Sequence, residues 1–216
     1  MANKLHYHTI TPSVQAMLSL MMNHSMFDPF VLVGGTNVSL RYGHRKSIDI
    51  DMFTDANYDS IDFSKIDSFF KNQFAYCSYG DDAQIVGMGK SYFAGHSIQD
   101  AVKVDLFYTD PFIRPVEQID KIRMAGIEDI IAMKVEVISI GGRKKDFWDL
   151  HLFLDDFSVE QMIALHKERY PRSHCADDMS GHFVDFDKAD NDPDPDCLQG
   201  KMWEMIKLDF IDLIYG

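Results

Sequence analysis

Asp49 and Asp51, two carboxylates one residue apart, are the pair in this chain with the clearest chemical use. They stand in the alternating run Ile48-Asp49-Ile50-Asp51-Met52. Side chains of a strand alternate between faces, so both aspartates project to one side and the apolar residues to the other. Two such carboxylates repel each other, and a hard cation between them removes the repulsion. Upstream, Gly34-Gly35-Thr36 follows the apolar run Phe30-Val31-Leu32-Val33. The glycines let backbone approach a phosphate, and a helix beginning near Thr36 offers unpaired N–H groups to an anion. A third carboxylate, Asp105, lies in the alternating run Val102-Lys103-Val104-Asp105-Leu106-Phe107. Val104 and Leu106 are expected to face the core, leaving Asp105 on the other side with Lys103 and Phe107. Three carboxylates on one patch suit two divalent ions and in-line attack on a phosphoryl group. An Asp-x-Asp alone fits a solvated strand end or turn better than a metal site. The glycine turn and the third strand aspartate tip the reading toward a metal-bound triphosphate.

The periodicity predicts the elements that must position these groups. A helix is expected over Thr11–Met26, opening on Thr-Pro-Ser as a cap with proline in the first turn. A strand over Phe30–Val33 runs into the glycine turn, then a short helix over Asn37–Tyr42 and a strand over Ile48–Phe53. Tyr58–Gln73 reads as a helix with Ile61, Ile66, Phe69 and Phe70 inward. Residues 74–108 read as three or four strands, with turns at Gly80-Asp81 and near Gly95. Ile127–Ser139 carries a helical stripe of Ile127, Ile130, Ile131, Lys134, Val135 and Ile138. Lys134 is the misfit on that stripe. It either snorkels to the rim or reaches into the cleft toward phosphate. In the second case Lys134→Met should fold but transfer poorly. The next helix, Arg143–Phe157, sets Asp146, Asp149, Leu150 and Phe153 on one side, and one of those aspartates is a partner for Lys134 or an arginine. Ser158 and Gln161 form a capping box. From residue 171 to 200 the chain changes character, and Asp190–Asp196, acidic and proline-punctuated, reads as an extended loop and solvated linker. Leu198–Tyr215 returns to helical spacing with Trp203, Ile206, Phe210 and Leu213 inward.

A chain of 216 residues can bury one good core with a small helical lobe attached. No apolar run is long enough to span a bilayer, and the first residues lack the apolar core of a signal peptide, so a cytoplasmic protein is expected. Cys77, Cys175 and Cys197 are scattered, fitting a reducing compartment without disulfides, and no HExxH or CxxC metal pattern occurs. A net charge of −13 argues against a general coater of nucleic acid. The distribution is uneven, with net +3 over residues 1–48 and net −8 over residues 173–216. Arg143-Lys144-Lys145, with Arg41, Arg45 and Lys46, leaves a local basic cluster where a polyanion could dock.

Taken together, Gly34-Gly35-Thr36, His44-Arg45-x-Ser47-x-Asp49-x-Asp51, Val104-Asp105-Leu106, Lys134 and Arg143-x-Lys145-Asp146-x-x-Asp149-Leu150 resemble the AbiEii/AbiGii toxin family within the DNA polymerase β nucleotidyltransferase superfamily. The resemblance covers roughly residues 10 to 155, and the last motif is its family-specific part. It implies an α+β fold, a mixed β-sheet flanked by helices, with a nucleotidyltransferase core over 1–125 and a helical part over 126–216 packed on it. It implies transfer of a nucleotidyl group from a nucleoside triphosphate (NTP) to an acceptor hydroxyl, with Mg²⁺ or Mn²⁺. By position, Asp49, Asp51 and Asp105 would hold the metals, Asp105 also helping to activate the acceptor. Gly34, Gly35, Thr36, Arg45, Ser47 and Lys134 would bind the nucleotide, and Lys134 and Asp146 match additional catalytic positions. Thr36 stands where the superfamily often has serine, which keeps the hydroxyl. The implied partners are tRNA or another RNA as acceptor and a cognate antitoxin, with no membrane. Three alternatives stay open: a small-molecule, antibiotic-type acceptor, which the net acidity favours; a glycosyltransferase using Asp-x-Asp, for which the chain is short; and a catalytically silent domain binding nucleotide or partner.

Overall fold

The computed structural model describes residues 4–79, 87–175 and 179–216. Its strands are β1 (Val31–Val33), β2 (Asp49–Thr54), β3 (Tyr76–Tyr79), β4 (Gly89–Gly95), β5 (Val102–Tyr108), β6 (Glu117–Ile119) and β7 (Ile122–Met124). They form one mixed sheet in the order β3-β4-β5-β2-β1-β7-β6. β2 runs parallel to β5 and β1 parallel to β7; the other neighbours are antiparallel. The turn expected at Gly80-Asp81 lies outside the described residues.

The two faces of the sheet carry separate cores, and the alternation of the strands decides which residue serves which. Ile50, Met52, Val104, Leu106 and Tyr92 join one core with the helices α1 (Pro12–Met22) and α3 (Phe63–Gln73). On the other face Val31 and Val33 join α4 (Ile127–Ser139), α5 (Lys144–His151), α6 (Val159–Arg169) and α7 (Trp203–Tyr215). The helix α2 (Gly34–Tyr42) bridges the two, with Leu40 in the first core and Val38 in the second. On this second face Asp49, Asp51, Phe53, Lys103, Asp105 and Phe107 are only partly buried, so it is open along β2 and β5.

Several expected boundaries move, each for a local reason. Thr11 caps α1, its Oγ1 accepting from the Val14 N–H at 3.2 Å, but the helix ends at Met22 and Met26 falls in a separate 3₁₀ turn, Ser25–Phe27. α2 starts at Gly34 itself, three residues before the expected Asn37. α3 starts at Phe63, where Asp62 Oδ1 accepts from the Lys65 N–H at 3.2 Å. α5 stops at His151 and turns follow toward Ser158. Ser158 and Gln161 then cap α6 reciprocally, at 3.3 and 2.8 Å. The β6–β7 hairpin was not expected. Its two turn residues, Asp120 and Lys121, hold φ of +47° and +69°, a left-handed turn made without the Asn-Gly or Asp-Gly that signals one.

The acidic run is extended and mostly exposed over residues 192–196, as expected, but the residues before it are not free in solvent. Phe183, Phe186 and Ala189 are buried in the second core. Asp190 Oδ1 accepts from Trp203 Nε1 at 2.6 Å and from Lys207 Nζ at 3.0 Å. α7 begins at Trp203, not Leu198. Trp203, Ile206 and Phe210 pack inward, but Leu213 is 54% exposed.

A buried ion pair ties the end of α6 to the first turn of α4. Arg169 Nη1 meets Asp129 Oδ1 at 2.6 Å with both side chains inaccessible, and Asp129 also accepts the Ile113 and Arg114 N–H groups at 2.9 and 3.0 Å. Removing one partner of such a pair leaves an uncompensated charge. Arg169→Met should therefore lose about 3–5 kcal/mol of stability in urea unfolding. A loss under about 1 kcal/mol would show that the backbone N–H groups alone satisfy Asp129.

Candidate active site

The parallel pairing of β2 with β5 sets Asp51 directly opposite Asp105 and Asp49 opposite Lys103. All four side chains share the open face. Phe53 and Phe107, one step further along the same strands, meet edge to face at 6.2 Å. β4 adds Ser91 beside Asp105 and Phe93 beside Lys103. Asp105 Oδ2 is held by the Lys103 ammonium, and Asp49 Oδ2 lies 3.8 Å from Lys145 Nζ. Asp105 Oδ1 is buried and has no hydrogen-bond partner among the described residues.

Asp51 is pushed up to about 6 from the usual 3.8, first by burial and then by the Asp105 charge, with Asp49 adding to it and Lys134 and Lys103 opposing. The structure thus holds its carboxylates where they repel. Gly34 explains how Asp51 comes so close to the α2 terminus. It takes φ +66°, and a Cβ there would lie 2.2 Å from Asp51 Oδ2. A Cβ on Gly35 would lie 2.2 Å from Arg45 Nη2. The paired glycines therefore serve two close approaches. Val33, at the N-cap of α2, has no side-chain oxygen to offer the first turn.

Thr36, Ser47 and Arg45 were expected at the nucleotide. Thr36 is 1% exposed; its hydroxyl lies 2.8 Å from Ser47 Oγ and donates to the Asp49 carbonyl. This hydroxyl pair pins the start of α2 to the start of β2. Arg45 is 3% exposed, with Nε and Nη2 on the two oxygens of Asp149 at 2.6 and 2.8 Å and Nη1 on the Lys46 carbonyl at 3.0 Å. Three of its five donors thus hold the 44–49 loop against α5.

Lys134 does not snorkel. It is 6% exposed, and its ammonium is shared between Asp146 Oδ1 at 2.6 Å and Asp149 Oδ2 at 2.8 Å. Two of its three donors are thereby used. Burial opposes its charge, but Asp146 and Asp149 raise it above the ordinary lysine range. Burial likewise pushes both carboxyls up, and the cations win: Lys134 holds Asp146 below its usual value, and Lys134 with Arg45 holds Asp149 well below. His44 is pulled down by burial despite its contact with Asp149, so it is neutral at pH 7. Its Nε2 lies 2.8 Å from Asp149 Oδ1, and an ionised carboxylate only accepts, so Nε2 carries the proton. His44 and Asp149, not among the expected catalytic residues, are the centre of this network. The signal was present in sequence as a lysine on an apolar stripe and two aspartates one helical turn apart.

A cavity of about 160 Å³ joins the two groups. Gly34, Gly35, Asp51, Phe53 and Lys134 line it, with Arg143, Lys145 and Asp146 at its wall. Arg143 also caps α5, its backbone N–H donating to Asp146 Oδ2 at 3.1 Å. Burial, then the neighbouring Arg143 charge, pull Lys145 below the ordinary lysine value. Among the described residues no three carboxylate, histidine or cysteine side chains are gathered as they stand around one point that could hold a metal ion. The donor set still fits a hard cation. Asp51 and Asp105 are cross-strand neighbours with a raised pKa on one and an unsatisfied oxygen on the other. No helix among the described residues is long and apolar enough to cross a membrane.

Solved structures share this arrangement of strands and helices. JHP933 from Helicobacter pylori is similar with a TM-score of 0.56 at 19% identity, covering 94% of this chain and 87% of its own. The nucleotidyltransferase toxin MenT4 from Mycobacterium tuberculosis H37Rv is similar with a TM-score of 0.59 at 14% identity, covering 94% and 82%. At such identities the likeness is one of fold. An uncharacterized protein of Aquifex aeolicus (strain VF5) is 32% identical over 149 residues, which span 65% of this chain and 66% of that protein's length. The sequence model described as nucleotidyl transferase AbiEii toxin, type IV TA system, matches residues 15–213, so it takes in α6, α7 and the acidic segment as well as the strand motifs. The chain belongs to the AbiEii family of nucleotidyltransferase toxins.

Proposed function

We propose that this protein transfers a nucleotidyl group from an NTP to an acceptor hydroxyl on RNA, with Mg²⁺ or Mn²⁺ bound by Asp49, Asp51 and Asp105, as a toxin controlled by a cognate antitoxin. The observation that carries the reading is the register of β2 and β5, which sets Asp51 against Asp105 beneath the glycine start of α2. Bound divalent ions would supply positive charge to the triphosphate and lower the pKa of the acceptor hydroxyl. Gly34 and Gly35 let phosphate oxygens approach the N–H groups that begin α2. The acceptor oxygen bonds to the α-phosphorus while the bond from that phosphorus to the pyrophosphate oxygen breaks. Asp105, beside the metal it would help hold, would take up the acceptor proton. Arg143 and Lys145 border the cavity, where charge develops on the leaving pyrophosphate. Thr36, Ser47 and Arg45 act as positioning residues that align the 44–49 loop.

RNA is favoured as acceptor by the open groove beside Asp49, lined by Lys46, Arg143 and Lys145. The test is incubation with each labelled NTP, Mg²⁺ and total RNA, resolved on a gel. One NTP should label a discrete RNA band, and Asp105→Asn should lower the labelling about 10²-fold or more, as for loss of one electrostatic stabiliser. Wild-type labelling by Asp105→Asn would remove Asp105 from the mechanism. Label found only in small molecules would remove RNA as acceptor.

A further inference from the structure

Asp192-Pro193-Asp194-Pro195-Asp196 lies across the groove where the basic residues gather. Asp192 Oδ2 accepts from the Lys144 backbone N–H at 3.1 Å, Asp194 Oδ1 from Lys144 Nζ at 2.9 Å, and Asp196 Oδ2 pairs with Lys46 Nζ at 3.1 Å. The backbone docks too. Lys46 N–H donates to the Asp196 carbonyl at 2.9 Å, Leu198 N–H donates to the His44 carbonyl at 2.8 Å, and Arg45 bridges Cys197 antiparallel. The segment is thus strapped to the 44–49 loop, which leads into Asp49. Between strap and Asp49 is a cavity of about 430 Å³, also walled by Arg143 and Lys145.

The strap has the form of a polyanion. Alternate prolines keep it extended, and Asp192 holds φ −81° and ψ 150°. At about 3.1 Å per residue and about three residues per turn, the carboxylates of such a segment step about 6 Å along its axis while facing different sides. A single nucleic-acid strand likewise presents anions at a fixed repeat. We propose that this groove seats the phosphodiester backbone of the acceptor strand, and that the strap occupies it as a tethered competitor the acceptor must displace. The inference rests on the transferase reading above and adds a gate to it. A competitor on a short tether acts at an effective concentration on the order of mM. Weak or brief anion contacts would then fail, and a strand reaching Arg143 and Lys145 as well would prevail. It also follows that binding by the wild type exchanges one set of ion pairs for another, releasing few counterions and depending little on salt.

The double variant Asp194→Asn/Asp196→Asn tests this. Both carboxylates are exposed, at 62% and 61%; an asparagine at 194 keeps an oxygen to accept from the buried Lys144 ammonium, and Asp192 keeps its hold on α5. Binding is measured by fluorescence anisotropy with a short labelled single-stranded oligoadenylate, without NTP. The variant should bind about tenfold tighter or more. Its slope of log affinity against log salt should steepen by about 0.7, for Lys46, the freed lysine that lines the groove, on a single strand. Adding Lys46→Gln should return that steepening to the wild-type slope. Asp155→Asn/Asp156→Asn, an equal charge change on exposed residues of the turn after α5, should stay near wild type. Should the strap variant melt early, Pro193→Gly/Pro195→Gly, which loosens the strap and keeps its charge, should tighten binding in the same direction. Unchanged affinity and slope in these variants, or equal tightening in the Asp155/Asp156 control, overturns the gate. Tighter binding by a protein inactive with every NTP would keep the groove and remove the transferase; normal transfer with unchanged binding would do the reverse.

Discussion

Asp51→Asn should abolish transfer, by about 10²-fold or more, and should make the metal-free protein more stable at pH 8 than the wild type. Both effects come from one carboxylate. Asp51 faces Asp105 across the strand pair and Asp49 along its own strand, with Lys134 and Lys103 as the opposing charges. Burial and the Asp105 charge hold it at about 6, against 3.8 for an ordinary aspartate. The folded state therefore binds more protons than the unfolded state between those values, and stability falls as pH rises from about 4 to about 6. Fully ionised, the group costs the fold on the order of 2–3 kcal/mol, at about 1.4 kcal/mol per tenfold change in proton affinity. Asparagine carries no such charge. Its advantage should be absent below about pH 4, grow through pH 6 and hold level above, as read from thermal melts in a chelating buffer. Saturating divalent ion should erase the advantage by stabilising only the wild type. A stability gap that does not change with pH would mean that Asp51 is not held under repulsion, and the metal assignment would lose its main physical support.

How legible this was in sequence depends on the kind of pattern each element leaves. Ile50, Met52, Val104 and Leu106 mark one face of two strands by strict alternation, so the shared face of Asp49, Asp51 and Asp105 followed before any coordinates. The stripe from Ile127 to Ile138 gave α4 its limits to the residue. Elements set by tertiary contacts left weaker traces. Asp120-Lys121 turns a hairpin with no glycine, and that strand pair went unseen. The 44–49 loop reads as a set of nucleotide ligands, and its sequence does not show that Arg45, beside Gly35, is also held by Asp149, a partner 104 residues distant. The acidic run Asp190–Asp196 reads as a solvated linker from its aspartates and prolines, and most of it is exposed. Only the fold shows that Phe183 and Phe186 anchor it and that Lys46 and Lys144 receive its carboxylates.

Lys134→Met should unfold the protein more readily than its sequence context suggests, and restoring charge balance should rescue the fold without rescuing the chemistry. The ammonium sits between two buried carboxylates, Asp146 at 2.6 Å and Asp149 at 2.8 Å. Asp149 retains Arg45 and His44 when Lys134 is removed, but Asp146 keeps only the Arg143 backbone N–H at 3.1 Å and its guanidinium at 3.4 Å. Breaking one partner from a buried pair costs about 3–5 kcal/mol, so the single variant should melt well below the wild type. Lys134→Met/Asp146→Asn removes a charge of each sign and should recover most of that loss, because a neutral pair of similar size replaces a buried ionic one. That folded double variant isolates the electrostatic role. Lys134 opposes the upward push on Asp51, so without it the Asp51 carboxyl must titrate at higher pH still. The acid limb of the transfer rate should therefore move to higher pH, and the rate at neutral pH should fall about 10²-fold. A purely structural lysine predicts another result: once the double variant folds, both the rate and its acid limb should match the wild type.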